Sequence, residues 1–119
     1  MATLTPEQVS SELASTPGWE VSDGQLTRTV TGKDFRDSLL FVNAVGFLAE
    51  RANHHPDIQI AWNKVTLSLV THSAGGLTVN DFALARQISE LARARSHRMR
   101  RRNPRMGSQP AADCRRISG

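Results

Sequence analysis

Asp23-Gly24 stands between two runs of strand-forming residues, 19–22 and 25–30, and it constrains the fold more than any other dipeptide here. A two-residue link between antiparallel strands needs positive φ at its centre, which Asp-Gly accepts at little cost, so the segment reads as a β-hairpin. In that register Val21 lies opposite Leu26, and both are expected to face the core. An isolated hairpin is at best marginal in water, so its apolar face must be covered by flanking elements. Upstream, Thr5-Pro6-Glu7-Gln8 has the form of a capping box and predicts a helix from Pro6 to Ala14, ending before Thr16-Pro17-Gly18. Downstream, Asp34 is expected to cap a long helix reaching about Asn53. Its apolar stripe is read as Phe35, Leu39, Val42, Gly46 and Ala49, widened by Leu40, Ala44, Phe47 and Leu48.

Pro56 disfavours helical geometry at His55, so that helix must stop there or just before. Segments 57–62 and 65–72 then read as a second hairpin, joined through Asn63-Lys64. Thr78-Val79-Asn80-Asp81 opens a last helix carrying Phe82, Leu84, Ala85, Ile88 and Leu91. The order α-β-β-α-β-β-α predicts an α+β, two-layer domain, an antiparallel sheet with the helices on one face.

The chain has 119 residues, enough for one domain, with the body expected over 1–95. It contains no apolar stretch long enough to span a membrane and no secretory leader pattern. The one cysteine, Cys114, has no partner for an internal disulfide, and a reducing, cytoplasmic setting is expected. Charge is strongly segregated. Residues 1–92 hold six basic and ten acidic side chains, a balance of −4, whereas 93–119 hold nine arginines and one acid, a balance of +8. From about Ser96 onward few residues can bury, so 96–119 is expected to be a disordered, Arg-rich tail. Without interleaved aromatics such a tail is expected to stay solvated, with weak polyanion contact as the other reading.

Glu50-Arg51-Ala52-Asn53-His54-His55-Pro56 carries the chemistry. Three of the four histidines, His54, His55 and His72, fall in the body beside acidic residues, and imidazole is the side chain best suited to proton transfer near neutrality. A single histidine is more often a surface or structural residue. Here Glu50 and His54 are four apart and would touch on a helix, a contact that fixes the tautomer and suits a general acid. His72 ends a strand whose Val65, Leu67 and Leu69 point to the opposite face, so it is not a core residue. Asp81, in the first turn of the last helix, fits a dipole-complementing carboxylate as well as a functional one. Trp62 shares a strand face with Ile58 and Ile60 and can pack or bind. Neighbouring His54 and His55 are awkward for chelating one ion, so no metal is expected. No G-x-S-x-G elbow or G-x-G-x-x-G loop occurs, and Gly75-Gly76 reads as a strand-to-helix turn.

Taken together, Glu50, His54-His55-Pro56, Trp62, His72 and Asp81 resemble the signature of the pterin-4a-carbinolamine dehydratases. Gly18-Trp19, Lys33-Asp34-Phe35, Asn63-Lys64-Val65, Thr71-His72 and Gly76-Leu77 extend the likeness over roughly 5–95. The resemblance implies a four-stranded antiparallel sheet with three helices, assembled as a homodimer or homotetramer. It implies a pterin substrate: 4a-hydroxytetrahydropterin loses water to give quinonoid dihydropterin, recycling the cofactor of aromatic amino acid hydroxylases with no cofactor of its own. His54, His55 and His72 would be catalytic, with Glu50, Trp62 and Asp81 binding or orienting. The departing hydroxyl needs a proton and the ring must lose one, so an acid and a base are required. The same family includes a dimerisation cofactor of a transcription factor in animals, which leaves a non-catalytic assembly protein as the alternative.

Overall fold

The computed structural model describes residues 2–106, and the side chains of 2–94. It contains α1 (Pro6–Ala14), β1 (Glu20–Ser22), β2 (Gln25–Thr31), α2 (Phe35–Ala52), β3 (Asp57–Ala61), β4 (Lys64–Leu69), a 3₁₀ turn (His72–Ala74) and α3 (Val79–Met106). The strands form one antiparallel sheet of order β1-β2-β4-β3. This is the α+β arrangement expected, with three helices against one sheet.

Both hairpins are closed by two residues. In the first, Val21 pairs with Leu26 and Ser22 with Gln25, and Asp23 and Gly24 both have positive φ (54° and 74°). Leu26 is fully buried, but Val21, on the edge strand, stays 39% exposed. In the second, Ala61 pairs with Lys64, so the loop is Trp62-Asn63, one residue earlier than expected. Trp62 takes φ 54°, a left-handed conformation that costs a bulky side chain energy. Surrounding bonds hold it there: Ser38 Oγ donates to the Trp62 carbonyl at 2.6 Å, Gly32 N–H to the Asn63 carbonyl at 2.7 Å, and Asn63 Nδ2 to the Gly32 carbonyl at 3.1 Å.

Register assigns the two sheet faces. Leu26 and Leu69, Val30 and Val65, and Leu67 and Ile58 are cross-strand partners on the face that meets the helices. Thr27 and Ser68, Thr29 and Thr66, and Thr31 and Lys64 lie on the opposite, polar face. The core combines Trp19, Leu26, Val65, Leu67 and Leu69 with Phe41 and Val45 of α2 and Phe82, Leu84, Ala85 and Ile88 of α3. Ser89 ties the first hairpin to α3, accepting from Trp19 Nε1 and Arg28 Nη1, both at 2.9 Å. Burial lowers the pKa of Arg28 below its ordinary value. Glu12 pairs with Arg86 and links α1 to the same helix.

The expected apolar face of α2 also needs correction. The buried stripe of α2 is Ser38, Phe41, Val45 and Ala49, while Phe35, Leu39, Leu40 and Phe47 are exposed. Both stripes obey helical spacing, and contact with the sheet, which no local pattern encodes, selects between them. α3 itself runs past residue 95, to Met106. The remainder of the expected tail, 107–119, lies outside the described residues.

Candidate active site

The site is built where α2 stops. Asn53 takes φ 52°, ψ 44°, its N–H bonding the Glu50 carbonyl at 3.2 Å, and His54 N–H bonds the Ala49 carbonyl at 3.1 Å. This is a Schellman end, with asparagine in the left-handed position that glycine usually takes. The reversal takes His54 off the helix before it can sit above Glu50. The expected Glu50–His54 contact is therefore absent, and Glu50 meets His55 instead, Oε2 to Nε2 at 2.6 Å. That pair is open to solvent, with side chains 55% and 76% exposed.

His54 turns inward. Its Nε2 lies 2.5 Å from Asp81 Oδ1, in a pair that is 13% exposed on the histidine side and fully buried on the carboxylate side. Asp81 is the third residue of α3, and its Oδ2 accepts from Thr78 N–H at 2.8 Å and from Thr71 Oγ1 at 2.9 Å. Thr71 Oγ1 lies 2.8 Å from Thr78 Oγ1, which also accepts from Asn80 N–H at 3.2 Å. Asp81 thus caps its own helix and receives His54 from across the fold.

His72 does not end a strand. β4 stops at Leu69, and His72 opens the 3₁₀ turn that Gly75 closes at φ 80°. Thr71 bridges Gly76 across this reversal, which carries the chain from β4 into α3. His72 is exposed and directly follows Thr71, whose hydroxyl touches Asp81. Among the described residues its side chain makes no hydrogen bond.

Trp62 lies apart. Its carbonyl is fastened to Ser38 near the start of α2, whereas His54 follows the end of that helix. The fourteen steps from Ser38 to Ala52 rise about 21 Å at ~1.5 Å each. The indole is 64% exposed in a turn and is not beside Ile58 and Ile60 in a strand, as its spacing implied. The Trp62 backbone is thus fastened near the start of α2, while His54 follows the other end of that helix. Thr71 and Thr78, in contrast, belong to the histidine network although neither is a candidate on sequence grounds. The Thr78-x-x-Asp81 spacing of a cap carried a signal for one; nothing local did for the other. Among the described residues, no group of three or more His, Cys, Asp or Glu is arranged to hold a metal ion. Likewise, none of their helices is long and apolar enough to cross a membrane.

Comparison with known proteins agrees with this architecture. The family model described as pterin 4 alpha carbinolamine dehydratase matches residues 2–91. A Thermomicrobium roseum protein provisionally named pterin-4-alpha-carbinolamine dehydratase is 51% identical over 92 residues, covering 77% of this chain and 99% of its own. A Nocardia farcinica protein with the same provisional name is 50% identical, covering 76% of this chain and 95% of its own. The crystal structure of a Brucella melitensis protein, described as a transcriptional coactivator/pterin dehydratase, superposes with a TM-score of 0.72 at 34% identity. That match covers 76% of this chain and 98% of the Brucella one.

Proposed function

The chain belongs to the pterin 4 alpha carbinolamine dehydratase family and is a hydro-lyase, and we propose that it removes water from 4a-hydroxytetrahydropterin by proton transfer through His54 and His55. The observation that carries this reading is the matched pair of imidazole–carboxylate contacts, His54–Asp81 at 2.5 Å and His55–Glu50 at 2.6 Å, on consecutive residues. In each, Nε2 is engaged by a carboxylate, which orients the ring and leaves Nδ1 for substrate.

Hydroxide is a poor leaving group, so the C4a–O bond breaks as the oxygen receives a proton from one imidazolium. The pterin ring nitrogens supply the electron pair, and the resulting cation loses a ring proton to a second imidazole. One proton is delivered and one is recovered, so the reaction is proton-neutral and neighbouring histidines return to their starting states by exchanging a single proton. Each transfer is worth typically ~10²–10⁴-fold in rate. His72, beside Thr71, is the third participant, and Glu50 and Asp81 are orienting groups. Recycling the cofactor of aromatic amino acid hydroxylases in the cytoplasm, and assembly as a homodimer or homotetramer, belong to the same proposal. Leu40 and Phe47 of α2, 55% and 77% exposed, are apolar surface that such assembly would cover.

The test is the absorbance-followed decay of synthetic 4a-hydroxytetrahydropterin. His55→Ala is the informative variant because the side chain is half-exposed and its loss leaves the core intact. It is expected to slow turnover roughly thirty-fold or more, with an unchanged circular dichroism spectrum, and His54→Gln is expected to do the same. Wild-type turnover in both variants would remove these residues from the chemistry. The second reading, an assembly protein without activity, draws on the coactivator description of the Brucella structure; it requires that wild type leave the spontaneous decay unaccelerated.

A further inference from the structure

We propose that the hydroxyl pair of Thr71 and Thr78 is a positioning device that aims the Asp81 carboxylate at His54 and keeps the proton of the neutral imidazole on Nε2. This inference rests on the proposed function for its role in turnover, but its structural content is independent of it.

Counting protons gives the direction of the network. A carboxylate only accepts, so in the 2.9 Å contact Thr71 Oγ1 donates to Asp81 Oδ2. A threonine hydroxyl has one proton, and that of Thr71 is now used. The 2.8 Å contact between the two hydroxyls must then run from Thr78 Oγ1–H to Thr71 Oγ1. Thr78 Oγ1 in turn accepts the Asn80 N–H at 3.2 Å. The chain Asn80 N–H, Thr78 O–H, Thr71 O–H, Asp81 Oδ2 has a single polarity, and each bond strengthens the next. With the Thr78 N–H also on Oδ2, that oxygen is occupied twice, and Oδ1 is left to His54. A carboxylate oxygen 2.5 Å from Nε2 calls for a proton on Nε2, so the neutral ring presents Nδ1 as its base.

Thr71 separates this role from simple helix capping. The Thr78 N–H and Asn80 N–H bonds are those any capped α3 would have. The Thr71 hydroxyl comes from outside the helix, at the end of the sheet, and adds nothing to the cap. The side chain is buried, and Thr71→Val keeps its shape while removing the donor, whereas Thr71→Ser keeps the donor.

The experiment uses the full chain with ¹⁵N-labelled histidine. Two-bond ¹H–¹⁵N correlations at pH 8 are expected to show neutral His54 in wild type as the Nε2–H tautomer, with a larger Nδ1–H share in Thr71→Val and the wild-type pattern in Thr71→Ser. In parallel, Thr71→Val is expected to lower kcat roughly ten- to a hundred-fold, the worth of a hydrogen bond to a charged group, with KM nearly unchanged and Thr71→Ser close to wild type. Nδ1–H His54 in wild type overturns the proposal even where Thr71→Val does not fold. So does a folded Thr71→Val with wild-type kcat and tautomer, or equal impairment of the valine and serine variants. Failure of wild type to accelerate dehydration would instead refute the proposed function, with the tautomer measurement still judging this inference.

Discussion

A carboxylate with no solvent exposure must recover its lost hydration from fixed donors, and Asp81 does so with the Thr78 N–H, the Thr71 hydroxyl and His54 Nε2. Replacing it by alanine leaves a buried imidazole and two donors without their acceptor, and is expected to destabilise the fold by roughly 3–5 kcal/mol in urea titrations. Asp81→Asn is the gentler variant. An amide can still accept bonds from the cap, but it lacks the second acceptor oxygen that holds His54 Nε2. Turnover is expected to fall roughly a hundred-fold or more, with a midpoint shift smaller than for alanine; a fall in stability with unchanged turnover would reduce Asp81 to a cap. As a first-turn carboxylate of α3 it was legible in advance, because Thr78-Val79-Asn80-Asp81 before an apolar run is a local pattern. Its hold on His54, twenty-seven positions away, was not, since no local rule encodes a contact across the core.

Helix ends decided which expectations held. The capping box on α1 and the Asp-Gly hairpin depend on neighbours within four residues, and both are present as expected: Thr5 and Gln8 exchange bonds at 2.8 and 3.1 Å. The end of α2 was legible in place but not in consequence. Counting four residues from Glu50 to His54 assumes a continuous helix, and the left-handed Asn53 breaks it one residue too soon. The turn at Trp62 is set by long-range bonds from Ser38 and Gly32, and His72 leaves β4 because Thr71 and Gly76 close a reversal around it. Asn53 is therefore the element-scale test. Asn53→Gly suits φ 52° and is expected to leave stability and turnover near wild type. Asn53→Val forces a β-branched side chain into the left-handed region and is expected to cost roughly 1–2 kcal/mol. It is also expected to lower turnover, because the same turn separates His54 from His55. Equal stability of the two variants would show that the αL residue does not define this end.

At the scale of the whole molecule, charge and fold are divided along the chain. The family match ends at residue 91, and the balance of −4 over 1–92 gives way to +8 over 93–119. Within α3 the last carboxylate is Glu90, paired with Arg93 at 2.6 Å, while Arg98, Arg101, Arg102 and Arg105 recur at spacings of three and four. Residues 50–81 hold the whole histidine network, so a chain ending at Ala92 is expected to fold and to turn over like the full chain. Its surface charge is inverted, however. At pH 8 the full chain, with a sequence pI near 10.6, should bind a cation exchanger and the shortened one an anion exchanger. Because the arginines come without aromatics to stack on bases, any retention of the full chain on duplex DNA should be electrostatic. It should weaken steeply between about 50 and 200 mM salt and vanish in the shortened chain. DNA retention that survives removal of 93–119, or turnover that does not, would mean that the basic segment and the folded body are not the separate functional units their charges describe.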